Sequence, residues 1–211
     1  MPSKTSTKTA SKKPAKKVAH PASKKPTKLS AKPAPSKTTK AKPAKAPKPA
    51  TAASTPSAEC QLRSLANMKT FFERTLASLE EGDSAFTPMP GMFNAAQQVA
   101  HTAQTVDWFL DGAFSPRGFD VDFPALEAEV RKVSSLAAAK KWLDEAFGRL
   151  EQALKERPAS AWGETIIKET VMGGAPRWTI IDGLADHTAH HRGSLAVYAR
   201  LRGKTPAMPY M

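Results

Sequence analysis

The sequence predicts an all-α protein, an up-down four-helix bundle over residues 57–211 that follows a disordered Lys/Pro/Ala-rich tail over residues 1–56. In the second part, apolar residues recur at spacings of three and four in four long stretches, and no stretch alternates convincingly as a strand would. The first part has almost no large apolar side chains, so nothing offsets the entropy of ordering it. We therefore expect one helical domain and one tail.

The tail carries the positive charge of the chain. The formal charge of the whole chain is +13. The first 58 residues hold 15 lysines and no acid, while the remaining residues carry 17 basic and 19 acidic groups. Lysine without arginine or aromatic residues attracts phosphate but does not read bases. The tail is expected either to bind DNA or RNA without sequence preference or to act as a solubilising spacer. The lysines proposed for phosphate contact are Lys12, Lys13, Lys16, Lys17, Lys24 and Lys25.

Start and stop signals set the predicted helices. Thr55 or Ser57 can cap the first helix, and Gly82 follows its end. Pro176 opens the last helix and Gly203 closes it. The predicted ranges are about 57–81 for the first helix, 91–113 for the second, 124–132 for a short helix in the connection 114–133, Ser134 or Ser135 to Arg157 for the third, a loop or extended segment at 159–175, and 176–202 for the fourth.

The cysteine count and the hydropathy of the chain limit the cellular compartment that we expect for the protein. The single cysteine, Cys60, excludes an intramolecular disulfide and a multi-cysteine zinc site, and it fits a reducing compartment. No run approaches the roughly 18 apolar residues of a membrane-spanning helix, and the N-terminus lacks the apolar centre of a secretory signal. We expect a cytoplasmic protein that makes no membrane contact.

Three of the five histidines lie close together on the predicted fourth helix, at positions 187, 190 and 191. His187 and His191 are one turn apart within the apolar stripe, and His190 is on its edge. Such a pair can offer two nitrogens to one metal, but it can equally be a hydrogen-bonded pair in the core. The chain lacks the glutamate of the His-Glu-x-x-His protease motif between them.

A third ligand would have to come from another helix, where His101 is the one well-placed histidine. It lies opposite the apolar stripe of the second helix. Either it faces solvent, or this more polar face lines a cavity. Its neighbours on this face are Asn94, Gln98, Thr105 and Trp108.

Other side chains near these histidines are open to two interpretations. Asp107, Asp182 and Asp186 could orient imidazole N–H groups or be solvated helix acids. Trp108 and Tyr198 could wall a pocket or pack in the core.

His101, the run His187-Thr188-Ala189-His190-His191-Arg192-Gly193 and the ending Leu201-Arg202-Gly203-Lys204-Thr205-Pro206 together resemble the DinB-like family of metal-binding four-helix bundles. That family is related to YfiT-type hydrolases and to bacterial thiol-dependent transferases and isomerases. The resemblance covers about residues 60–210. It implies a three-histidine site, His101, His187 and His191, for a divalent metal, with zinc or nickel expected. His190 falls outside this triad, as a supporting or substrate-side group. Ser194 stands where relatives commonly have glutamine.

The resemblance also implies an activity. A metal held by three histidines would activate a low-molecular-weight thiol or water against a small-molecule electrophile, in a thiol S-transferase or a hydrolase. It assigns no catalytic residue, and it implies a bacterial protein that forms a homodimer. The alternative is a non-enzymatic helical module tethered to DNA or RNA, and hence near the nucleoid, by its lysine-rich tail.

Overall fold

The structure, a computed structural model, describes residues 54–169 and 171–210. The proposed lysine contacts and almost all of the predicted tail lie outside these residues. The described part contains six α-helices, no β-strand and one isolated β-bridge between Thr165 and Pro176. The helices are α1 (Ala58–Leu76), α2 (Ala95–Phe114), α3 (Phe123–Arg131), α4 (Leu136–Glu156), α5 (Ala159–Gly163) and α6 (Ile180–Leu201).

Four long helices, α1, α2, α4 and α6, form the bundle. Both α1 and α2 pack against α4 and α6, so α1 and α2 occupy opposite corners. The interior between them is filled by aliphatic and aromatic side chains such as Phe72, Val99 and Leu150, each at most 1% exposed. The predicted all-α helical bundle is therefore confirmed, and the apolar stripes are the faces that the four helices turn toward each other.

Side-chain caps fix where the long helices begin. The Ser57 hydroxyl accepts the backbone N–H of Cys60, as predicted for the first helix. Asn94 and Gln97 form a reciprocal capping box, which starts α2 at Ala95 rather than near residue 91.

Three other predicted boundaries differ from the structure. The first helix stops at Leu76, and a short 3₁₀ turn follows at Glu81–Asp83. The segment predicted as a loop or extended piece begins with the short helix α5. The last helix starts at Ile180, after a 3₁₀ turn at Arg177–Thr179, because the turn takes up the residues that follow Pro176.

The exit from α6 is held by a buried carboxylate. Asp83, 2% exposed, accepts hydrogen bonds from the side chains of Arg202 (2.9 Å) and Lys204 (2.5 Å) and from the backbone N–H of Glu80 (2.9 Å). Between the two basic residues, Gly203 adopts φ 74°, which favours glycine. Burial acts to raise the pKa of Asp83, but these hydrogen bonds and charges outweigh it and lower the pKa to about 2. Arg202 and Lys204, on either side of Gly203, thus attach the end of α6 to the turn after α1.

None of the helices in the described segments is both long enough and apolar enough to cross a membrane.

Candidate metal centre

Two facing helices bring three histidines together. His187 and His191 lie one turn apart on α6, and His101 projects from the middle of α2. One ring nitrogen from each lies within 4.8 Å of the other two, and the Nε2 atoms of His187 and His191 are 3.2 Å apart. The structure therefore decides the position that the sequence left open: His101 faces inward and lines a shared site.

A chain of hydrogen bonds assigns the tautomer of His191. The Tyr198 hydroxyl donates to the backbone carbonyl of Phe93 (2.9 Å), so it is free to accept the amide N–H of Gln98 (3.3 Å). This orientation directs Oε1 of Gln98 at Nδ1 of His191, 2.6 Å away. Because a carbonyl oxygen only accepts, Nδ1 carries the proton and Nε2 presents its lone pair to the other histidines.

The other two histidines have weaker support. Nε2 of His187 is 3.4 Å from the Thr105 hydroxyl, which donates to the carbonyl of His101 (2.8 Å). Nδ1 of His187 is buried and has no hydrogen-bond partner among the described residues. His101 is next to Gln104, whose amide donates to the carbonyl of Leu126 (2.9 Å).

Burial keeps all three imidazoles neutral. Burial, with a smaller contribution from the neighbouring histidines, lowers the pKa of His187 to about 4 and that of His191 to about 3. Burial also lowers the pKa of His101, although Gln104 and the Glu127 carboxylate act in the opposite direction. Neutral imidazole is the form that binds a metal, so the group is ready to do so at neutral pH.

The donor set fits a divalent transition metal. Three neutral nitrogen donors suit zinc, nickel and similar ions. Zinc–nitrogen bonds of about 2.0–2.1 Å in a tetrahedral site place two nitrogens about 3.3 Å apart, close to the 3.2 Å between His187 and His191. The second ring nitrogen of His191 is engaged by Gln98, as expected of a ligand whose orientation is fixed from behind.

A cavity of about 440 Å³ adjoins the group, and His101 and His187 form part of its wall. Most of the remaining wall is apolar, contributed by α2, by α3 and by Phe93 just before α2. Its lining side chains, apart from the two histidines, are Phe93, Gln104, Thr105, Trp108, Phe109, Phe123, Leu126 and Glu127. A small molecule in this cavity would contact the histidine nitrogens directly.

Comparison with known proteins agrees with this geometry. The family model of the DinB superfamily matches residues 64–195, more than half of the chain. The chain belongs to the DinB superfamily. A crystal structure of a Streptococcus pneumoniae protein is similar over 68% of this chain and 90% of its own, with a TM-score of 0.50 and 12% identity. That identity supports the shared fold alone, and a search of curated proteins finds no match.

The matched region contains all three histidines of the group, so this DinB superfamily member retains a set of side chains that can hold a metal. His190 is exposed beside the group, with its ring centroid 4.9 Å from that of His191. Trp108 walls the cavity, whereas Tyr198 is 2% exposed and acts through Gln98. Tyr198 therefore combines core packing with support of the site.

The predicted aspartates do not orient the histidines. Asp107 accepts hydrogen bonds from Trp142 (2.9 Å) and Arg149 (2.7 Å), and Asp182 and Asp186 are exposed. The side-chain amides of Gln98 and Gln104, both on α2, take this role instead. The helical pattern already places Gln98 on the same face as His101, so the sequence contained a signal for this role. It was missed because carboxylates are the more familiar partners of metal-binding histidines.

Proposed function

We propose that this protein binds one divalent metal ion, zinc or nickel, through His101, His187 and His191, and that it is a thiol S-transferase or a hydrolase. The observation that carries the proposal is the convergence of three neutral imidazoles, two of which, His101 and His187, line a cavity large enough for a small molecule. Three protein ligands leave a coordination position open, which is typical of catalytic rather than structural sites. A metal bound there would supply a coordinated thiol or water with a lowered pKa, and hence a nucleophile at neutral pH.

The protein residues around the site would have three tasks. Burial keeps the imidazoles neutral, Gln98 holds His191 in the required tautomer, and the cavity wall places an electrophile against the open position. In S-transfer, the thiol sulfur bonds to the electrophilic carbon, the leaving group departs with the bonding electrons, and the thiol proton passes to solvent. The sulfur would come from a small molecule, because Cys60 is exposed at the start of α1 and does not line the cavity.

Elemental analysis of the full chain tests the metal assignment. Purified without chelators, the wild type should hold about one zinc or nickel per chain, and His187→Ala/His191→Ala should hold almost none. The matched control is His190→Ala, which removes an exposed histidine of the same helix and should retain the metal. A wild type without metal, or a double variant that keeps it, would refute the assignment. A screen of low-molecular-weight thiols with a generic electrophile would then separate transferase from hydrolase.

A second proposal concerns the tail, and the separation of charge along the chain favours it. All 15 lysines of residues 1–58 lie where no acid is present, whereas the rest of the chain is close to neutral. We infer that the tail holds the protein near DNA or RNA without sequence preference. Replacing Lys12, Lys13, Lys16, Lys17, Lys24 and Lys25 with glutamine should weaken duplex binding and flatten its salt dependence by about 0.9 log–log units per lost contact. An unchanged affinity at low salt would leave the tail as a spacer.

We also propose that the protein is a bacterial cytoplasmic homodimer, as its resemblance to the family implies. Light scattering on the purified chain should then give about twice its mass of 22.7 kDa. A monomeric mass over a range of concentrations would contradict this.

A further inference from the structure

The cavity beside the histidines has an aromatic wall, part of which also packs against the core. The Trp108 ring lies 5.3 Å from Phe109 and 6.4 Å from Phe123, measured between centroids. Phe93 closes the side next to His101, with centroids 5.4 Å apart. Phe123 is the first residue of α3 and is 57% exposed, at the mouth of the cavity. A large aromatic side chain left in solvent beside a cavity, as Phe123 is, indicates a binding surface.

The charges around this wall are as informative as its shape. No lysine or arginine is among the lining residues that the structure describes, and the one carboxylate, Glu127, pairs with Arg131 at 2.7 Å. Arg131 in turn lies 4.8 Å from the Phe93 ring and donates to the carbonyl of Gly91 (3.0 Å). No side chain of the described wall is placed to neutralise an anion, because the only charged side chain among them, Glu127, is a carboxylate. Because Arg131 already balances Glu127, the wall does not require a cation either.

We propose that the electrophile bound here is a neutral, largely aromatic small molecule, and that the wall itself, in the absence of a metal, favours it over anionic molecules of the same shape. The aromatic side chains would stack on its ring and its reactive atom would face His101 and His187. That the bound molecule is an electrophile rests on the function proposed above. Binding of the aromatic molecule itself needs the wall and no metal, so the two can fail separately.

A pair of fluorescent probes that share one skeleton tests this selectivity on the full chain. N-phenyl-1-naphthylamine is neutral, and 8-anilinonaphthalene-1-sulfonate adds one negative charge; both brighten in apolar surroundings. The neutral probe should bind at about one site per chain with energy transfer from tryptophan. In protein freed of metal with a chelator, the anionic probe should bind at least about tenfold more weakly, because its charge would be desolvated without a partner.

Variants locate the binding. Phe123→Ser should weaken binding of the neutral probe several-fold, whereas Leu201→Ser, which removes an equally exposed apolar side chain (59%) on α6 away from the cavity, should not. Glu127→Gln should strengthen binding of the anionic probe more than that of the neutral one, because it removes one negative charge and frees Arg131. The folded state of each variant is checked by circular dichroism.

The outcomes separate the two proposals. If His187→Ala/His191→Ala binds the neutral probe while the wild type holds no metal, the aromatic site stands and the metal assignment fails. If the wild type holds metal but its metal-free form binds both probes equally, or if Phe123→Ser and Leu201→Ser have the same effect, the inference about the substrate is wrong and the metal assignment stands.

Discussion

Replacing Gln98 with leucine should weaken metal binding about 10–100-fold. The hydrogen bond from His191 Nδ1 to Gln98 Oε1 is 2.6 Å long, and both residues are 7% exposed. In Gln98→Leu the metal-free protein avoids an unpaired N–H by moving the proton of His191 to Nε2. Metal binding needs Nε2 free, so it would force the proton back to an unpaired Nδ1, at about 1–3 kcal/mol. That cost corresponds to about 5–150-fold in affinity and agrees with the range above.

Competition with a chromophoric chelator measures the effect, with Gln61→Leu as the matched control. Gln61 is also a buried glutamine, 4% exposed, but it lies on α1 and bonds to the carbonyl of Pro56. Gln61→Leu should change stability without changing metal affinity. Gln98→Glu should bind metal more tightly than Gln98→Leu, because a carboxylate accepts the same N–H more strongly. A Gln98→Leu protein that is folded and binds metal within about twofold of the wild type would refute the assigned tautomer.

Two further predictions concern pH. Burial lowers the pKa of His187 to about 4 and of His191 to about 3, from 6.5. The stability of the fold that depends on the neutral pair is therefore complete above pH 6.5 and is lost as the pH falls toward 3. Urea unfolding of the metal-free wild type should show this loss between pH 6.5 and 4, and His187→Ala/His191→Ala should show less of it. Asp83→Asn should lower the free energy of unfolding by about 1–2 kcal/mol at pH 7, after allowance for solvent screening of its basic partners. That difference should shrink as the pH falls from 3.8 toward about 2, and a constant difference would show that the charge of Asp83 is not its cause.

The site could be predicted in part because helical periodicity is local. His187 and His191 share a face of one helix, which their spacing alone reveals. Whether His101 meets them depends on which side of α2 faces α6, and that is set by packing between helices distant in the sequence. Other helices pack against both faces of α2, and two residues on its polar side, Gln98 and Thr105, are only 7% exposed. A polar face that lines a site and one that meets solvent have the same pattern in the sequence.

The fold was predictable to the level of an all-helical bundle, but not to the order of its helices. Apolar stripes show that each long helix has one buried face without showing which helix covers it. Two of the boundaries that differed are those where a 3₁₀ turn replaces α-helix, at Glu81–Asp83 and Arg177–Thr179. In the first of these the carboxylate of Asp83 faces Arg202 and Lys204, a long-range contact that no local signal contains.

The use of amides rather than carboxylates around the histidines has a chemical consequence. A carboxylate behind a ligand imidazole makes it more basic and reduces the positive charge that a bound ion presents. Gln98 and Gln104 fix their histidines without adding negative charge, and Asp107 is taken up by Trp142 and Arg149. A divalent ion at this site would keep most of its charge next to an apolar cavity, where electrostatic attraction to a coordinated anion is strong. This arrangement favours holding a thiolate or hydroxide over a purely structural role for the metal.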